Sequence, residues 1–159
     1  MNTNNGIGMY QRWPDGRSKM IQEIFIDDPF KIMVGCILLN LTTHIQVRRV
    51  IYKLFKKWPT PETMSSADAS ELSNLLRPLG MQNRRANTLI RFANEWLGDW
   101  HDPIDLYGIG KYAKNSYEIF VNKNLDVKVK DKELTKYLEN KWHLSTDSHL
   151  KKSGTDILS

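Results

Sequence analysis

A Gly-x-Gly turn followed by lysines is the first feature of this sequence with chemical consequences. It lies in PIDLYGIGKYAKNSYEIF, residues 103–120, where a short helix, Gly108-Ile109-Gly110 and a second helix read as a compact helical hairpin. Such a turn requires backbone angles that residues with a Cβ avoid. The missing side chains also let a phosphate approach the free amides at the start of the second helix. Lys111 and Lys114 stand at that same end. There a cation opposes the helix dipole unless an anion is bound, so the placement points to an anionic ligand. Taken alone, the turn fits an ordinary αα-hairpin with a glycine C-cap equally well.

A carboxylate follows at a telling distance. Asp131 lies 21 residues after Gly110, beyond a polar loop, and opens the next helix. A helix N-terminus favours an ionised carboxylate, and a fixed carboxylate beside an anomeric carbon can support a sugar that becomes cationic as its base leaves. An aspartate at this position also serves as a plain N-cap, worth ~1 kcal/mol to the helix.

The elements that must position these groups are helical throughout. Lys19 to Ile26 gives a short amphipathic segment, and Asp28-Pro29 is an N-cap followed by a favoured first residue. The helix from Pro29 to about Leu41 is apolar nearly all round and is expected to be the buried central one. A third helix, about His44 to Trp58, turns Ile45, Val47, Val50, Ile51, Leu54 and Phe55 inward, and Pro59 and Pro61 end it. Further helices are predicted over Asp68–Leu76, Asn83–Leu97, Asp102–Tyr107 and Lys111–Val121; after the loop at 122–130, one more runs from Asp131 to about Trp142. No strand pair or internal repeat is evident, so the fold reads as all-α in a single compact domain. That domain spans 18–143, between a flexible N-terminal segment at 1–17 and a polar tail at 144–159 expected to be disordered.

Bulk properties narrow the function classes. At 159 residues the chain is long enough for one domain with a real core. The lone Cys36 excludes an intramolecular disulfide, a cysteine zinc cluster and a four-cysteine iron–sulfur centre, and its apolar setting suits a small buried hydrophobe. The first residues are polar with no secretory signal, and no apolar run approaches the ~20 residues of a membrane span. An intracellular protein is expected. The net charge of +5 is compatible with a polyanion partner.

Four separated blocks then carry a specific resemblance. IQEIFIDDPFKIMVGCILLNLTT (21–43), LLRPLGMQNRRANTLIRFANEWL (75–97), the hairpin block (103–120) and VKVKDKELTKYL (127–138) occur in the order found in the helix-hairpin-helix (HhH-GPD) DNA glycosylase superfamily. The chain resembles most the glycosylase domain of the methyl-CpG-binding thymine/uracil mismatch glycosylases, from about Ser18 to Trp142. The resemblance implies a helix-hairpin-helix glycosylase fold without an iron–sulfur cluster. The implied enzyme flips uracil or thymine from G·U or G·T mispairs in double-stranded DNA and hydrolyses the N-glycosidic bond, as a monomer without a membrane. Its compartment would be that of the DNA, the nucleus if the source is eukaryotic.

The resemblance also assigns roles. Asp131 takes the place of the catalytic carboxylate. Lyase members of the superfamily carry a Schiff-base lysine two residues after the second glycine; here that position is Tyr112. Lys111 is one residue off, turned by about 100° on a helix, so water is the expected nucleophile. Tyr112 would complete the catalytic site by stacking on the flipped base or bonding to its edge. Gln22 would read that edge through its carboxamide. Gly108, Gly110, Lys111 and Lys114 would form the DNA-binding hairpin, where a monovalent cation has room. Leu79 and Met81 would fill the space of the extruded base. No catalytic metal is implied.

Two positions depart from the relatives. Leu41 follows the asparagine of the LLN block where they carry an arginine; it can plug a gap but donates no hydrogen bond. Lys130 replaces an acidic residue before Asp131. Arg84, Arg85, Arg91, Lys128, Lys130 and Lys132 are expected around the DNA-facing blocks. The rival functions are a non-catalytic helix-hairpin-helix DNA-binding module and a glycosylase for another damaged or mispaired base.

Overall fold

The computed structural model describes residues 18–141, in which every regular element longer than an isolated bridge at Ser18 is helical. The segments 1–17 and 144–159, expected to be flexible and disordered, lie outside the described residues, as do 142 and 143. The chain divides after Asn124 into two compact units.

In the first unit, helix α1 (Ile21–Ile24) is a single turn. Helix α2 (Pro29–Leu38) begins as the sequence predicts: Asp28 caps it by accepting from the Lys31 amide at 3.1 Å, with Pro29 in the first turn. Eight of its ten residues are buried, which makes it the central helix. It packs against α1, against α3 (His44–Lys57), against α6 (Gln82–Trp96) and against α7 (Lys111–Ser116).

Helix α2 stops at Leu38, not at Leu41 as expected. The Thr42 hydroxyl donates to the Leu38 carbonyl at 2.5 Å. A continuing helix would have used that carbonyl for its own ladder. Leu41 turns left-handed, with φ of 59°. Thr43 then caps α3 in a reciprocal pair with Gln46. The buried stripe of α3 is Val47, Val50, Ile51, Leu54 and Phe55. Ile45, expected on that stripe, is exposed, because it lies about 200° round the helix from Val47.

A short helix the sequence reading missed, α4 (Pro61–Ser65), follows α3. Pro61 does end the preceding run, but with Thr60 as N-cap it also starts a new turn. Helix α5 (Ala69–Leu76) is capped by Asp68, and α4 and α5 both pack on α6. A 3-10 turn at Arg77–Leu79 and Gly80 lead into α6. On the inner side Phe30 stacks on Phe92 at 5.7 Å with rings 6° from parallel. Trp96 touches both rings and continues the aromatic run to Trp100 and Tyr117.

The hairpin itself is a 3-10 turn at Pro103–Asp105, the Gly-x-Gly turn and α7. The single α-helix expected to Val121 is divided, because Tyr117–Val121 winds as a π-turn after α7.

The second unit starts at Leu125. Its residues to 130 form a loop, and helix α8 covers 132–141, with Leu134 and Leu138 buried one turn apart.

Candidate active site

Gln22 is the best-defined polar group in the first unit. It sits on α1 beside Ile21, and both are completely buried. Its Nε2 reaches the Tyr112 hydroxyl at 2.8 Å and the Ser116 hydroxyl at 3.1 Å, both on α7, and Cys36 Sγ on α2 at 3.6 Å. Two neighbouring helices and one some eighty residues away therefore meet at one carboxamide. Its Oε1 is buried and has no hydrogen-bond partner among the described residues. An unsatisfied acceptor of this kind costs ~1–3 kcal/mol, a debt that a donor from a ligand would remove.

The neighbours set the chemistry of this spot. Burial pushes the Cys36 thiol up to about 12, with hydrogen bonds from Ser116 and Gln22 opposing the shift. A neutral, enclosed thiol is a packing group and no nucleophile. Ser116, fully buried, was not singled out by sequence reasoning; its i+4 relation to Tyr112 is the signal that places both on one face of α7. Tyr112 is half-buried, its hydroxyl turned inward to Gln22.

The two hairpin glycines do different work. Gly108 has φ of +84°, and an added Cβ would lie 2.7 Å from Thr88 Cγ2. Gly110 departs from expectation: its φ of −101° is open to any residue, and nothing lies within 4 Å of where a Cβ would stand. What matters at Gly110 is open space in front of α7, which has no side-chain cap. Lys111 is exposed there. Lys114 is paired with Asp102 at 2.9 Å. The Asp102 carboxyl is held below its ordinary range by the Ile104 amide and then by Lys114, and the hydrogen bond to Asp102 raises Lys114 in turn.

The proposed plugs separate into two groups. Leu41 is 82 % exposed and Met81 43 %, whereas Leu79 is buried at 7 % and belongs to the core. Met81 shares the left-handed backbone of Leu41, with φ of 48°. Arg85, expected among the surface cations, is buried instead. Its Nε donates to the Gly80 carbonyl at 2.8 Å, with longer bonds from Nη1 to Leu38 O and Nη2 to Leu79 O. Arg91 behaves as a surface group, its guanidinium 3.9 Å from the Tyr107 ring centroid.

In the second unit, Asp131 is exposed and caps α8, as the sequence predicts. Its Oδ1 accepts from the Glu133 amide at 2.9 Å and the Leu134 amide at 3.0 Å. This leaves Oδ2 without a partner among the described residues and fixes the rotamer of the carboxylate. Lys128, Lys130 and Lys132 nearby in sequence are all exposed. Among the described residues no group of three His, Cys, Asp or Glu is placed to hold a metal ion.

Comparison with known proteins identifies the family. A methyl-CpG-binding domain protein 4-like protein of Arabidopsis thaliana is 38% identical over 129 residues, covering 79% of this chain but only 29% of its own length. A thymine-DNA glycosylase of Aeropyrum pernix is 41% identical over 66 residues, or 42% of this chain and 30% of that protein. The chain thus spans about three-tenths of these curated relatives. Among solved structures, a thermostable thymine-DNA glycosylase superposes with a TM-score of 0.55 at 28% identity, over 60% of this chain and 48% of the other. An endonuclease III–DNA complex shares the fold, with a TM-score of 0.57 at 19% identity over 69% of this chain and 54% of that one. The family model for the HhH-GPD superfamily of base excision DNA repair proteins matches residues 34–154, and to that superfamily this chain belongs.

Proposed function

We propose that the chain is a monofunctional DNA glycosylase that flips uracil or thymine from G·U and G·T mispairs in double-stranded DNA. It would act as a monomer, inside the cell with the DNA. The observation that carries the reading is the buried Gln22 carboxamide, tied through Nε2 to Tyr112 and Ser116, with Oε1 lacking a donor. Uracil and thymine both present an imide N–H that supplies one, and Tyr112 adds an aromatic face for the base.

Asp131 is the catalytic carboxylate in this proposal. As the bond from C1′ to the base nitrogen breaks, its electron pair leaves with the base and positive charge develops on the sugar, which the carboxylate stabilises. A water oxygen then bonds to C1′ and yields its proton to the carboxylate. The product is an abasic site with the strand intact, since Tyr112 stands where a lyase would carry its lysine. Lys111 and the open end of α7 before Gly110 would take a backbone phosphate, and a monovalent cation held at the Gly108–Gly110 turn would help neutralise it. Leu41 and Met81, the exposed pair, would fill the vacated stack.

The test is single-turnover reaction on labelled duplexes containing G·U, G·T or a normal pair, with and without hot alkali. Strand scission of mispairs only after alkali, lost in Asp131→Asn, is expected. Scission without alkali would establish a lyase. Tight binding with no release from any duplex would favour the binding module or another lesion.

A further inference from the structure

Two exposed hydrophobic tips in the first unit share an unfavourable backbone. Leu41 and Met81 both have positive φ, 59° and 48°, a conformation that residues with a Cβ rarely adopt because the Cβ crowds the following carbonyl. Strain of this kind persists where the surroundings over-determine it. Water-exposed apolar side chains supply no such force on their own.

One buried side chain holds both loops. Arg85 is 5 % exposed, and its planar fork spreads over the carbonyls of Gly80, Leu79 and Leu38. Gly80 directly precedes Met81, and Leu38 ends α2 three residues before Leu41. Among the described residues no carboxylate pairs with it. A guanidinium stays charged in proteins, so its burial is compensated by these backbone dipoles alone. Moving either loop away would strand a buried cation with fewer acceptors, which is far costlier than losing a surface contact. The two loops are therefore coupled through one residue. A lysine offers a point charge with no fork and cannot span both.

We propose that Arg85 is a positioning residue that locks Leu41 and Met81 into one two-pronged element, which enters the duplex stack when a nucleotide is extracted. Its ligand rests on the glycosylase reading above; the coupling of the loops does not.

The experiment compares wild type, Arg85→Lys, Arg85→Gln and the double variant Leu41→Ala/Met81→Ala. Two G·U duplexes are used, one fully paired and one whose flanking pairs are mismatched, so that stacking is already weak and extraction is easier. The readout is the ratio of single-turnover excision rates on the two duplexes, beside Tm. In parallel, a 2-aminopurine neighbouring the mispair reports unstacking on binding. The expected result is a roughly ten- to hundred-fold fall in the ratio for the Arg85 variants, reproduced by the double variant with little change in Tm, and a loss of 2-aminopurine enhancement in all three. Rates falling equally on both duplexes in step with Tm would reduce Arg85 to a structural residue and overturn the proposal. So would an unchanged ratio in the double variant. Failure of the glycosylase reading shows itself separately, as no base release by wild type, and the 2-aminopurine signal then still decides the proposal: reduced in Arg85→Lys it stands, unchanged it falls.

Discussion

Gln22 Nε2 and Tyr112 Oη lie 2.8 Å apart although ninety positions separate them in sequence. The bond ties the first helix to the second helix of the hairpin, so the group proposed to read the base is set by the group proposed to stack on it. Tyr112→Phe removes the hydroxyl and keeps the ring. It should lower stability by only ~1 kcal/mol yet release the carboxamide from its fixed orientation. Excision of uracil should fall by one order of magnitude or more, and thermal unfolding beside single-turnover rates would separate the two effects. Activity equal to wild type would remove the bond from the mechanism.

Asp131 has a structural and a proposed chemical duty, and substitution can divide them. Asparagine and serine cap helices about as well as aspartate. Asp131→Asn and Asp131→Ser should therefore keep the unfolding free energy within roughly a few tenths of a kcal/mol of wild type while abolishing excision. Asp131→Ala should lose activity and also ~1 kcal/mol. If Asp131→Asn excises at the wild-type rate, the carboxylate is only a cap.

The hairpin glycines should respond in opposite ways. Gly108→Ala must place a methyl 2.7 Å from Thr88 Cγ2 at a φ of +84°, and a loss of about 1–2 kcal/mol is expected from the backbone alone. Gly110→Ala meets nothing within 4 Å and should leave Tm nearly unchanged. Its methyl would stand before the uncapped amides of α7 and weaken DNA binding. Calorimetry and a binding titration at fixed salt would check both; a stable Gly108→Ala with normal affinity contradicts the geometry.

Cys36 gives a pH dependence with a definite sign. Burial raises its thiol from 9.0 to about 12, so the folded state holds the proton more tightly than the unfolded chain. Its contribution to stability is complete below pH 9 and is lost as pH rises toward 12. Relative to Cys36→Ala, wild type should become steadily less stable over that window. At pH 8 a thiol reagent should label the native protein only through unfolding. Rapid native labelling would show that the thiol is not enclosed.

Much of this architecture was legible because helical periodicity and caps are local. Asp28, Thr43 and Asp68 each accept from a backbone amide three residues on, which is a property of neighbouring sequence. Helix α4 is not legible in the sequence, because Pro61 signals the end of one helix as well as the start of another. The apolar pattern carries α2 on to Leu41 because it continues past Leu38, while the Thr42 hydroxyl that takes the Leu38 carbonyl looks like any polar residue in a string of letters. The site was legible in outline through four ordered blocks, but not in its wiring. Ser116 and Cys36 acquire their parts from helix packing across eighty residues and more. Arg85 carries a charge that sequence assigns to the surface, and only the three carbonyls around it explain its burial.

Gly35 has a consequence that reaches beyond packing. A Cβ there would come within 2.6 Å of Ile21 Cγ2, so α1 and α2 touch at the one place where neither residue has anything to spare. Gly35 adjoins Cys36 and Ile21 adjoins Gln22. The spacing between α1 and α2 is thus gauged by a single missing methyl, one position away from Gln22 and from Cys36. Gly35→Ala would push the two helices apart without altering any polar atom of Gln22 or Cys36. In a lineage of such chains, that position would act as a dial on where the Gln22 carboxamide stands relative to Tyr112 and Ser116.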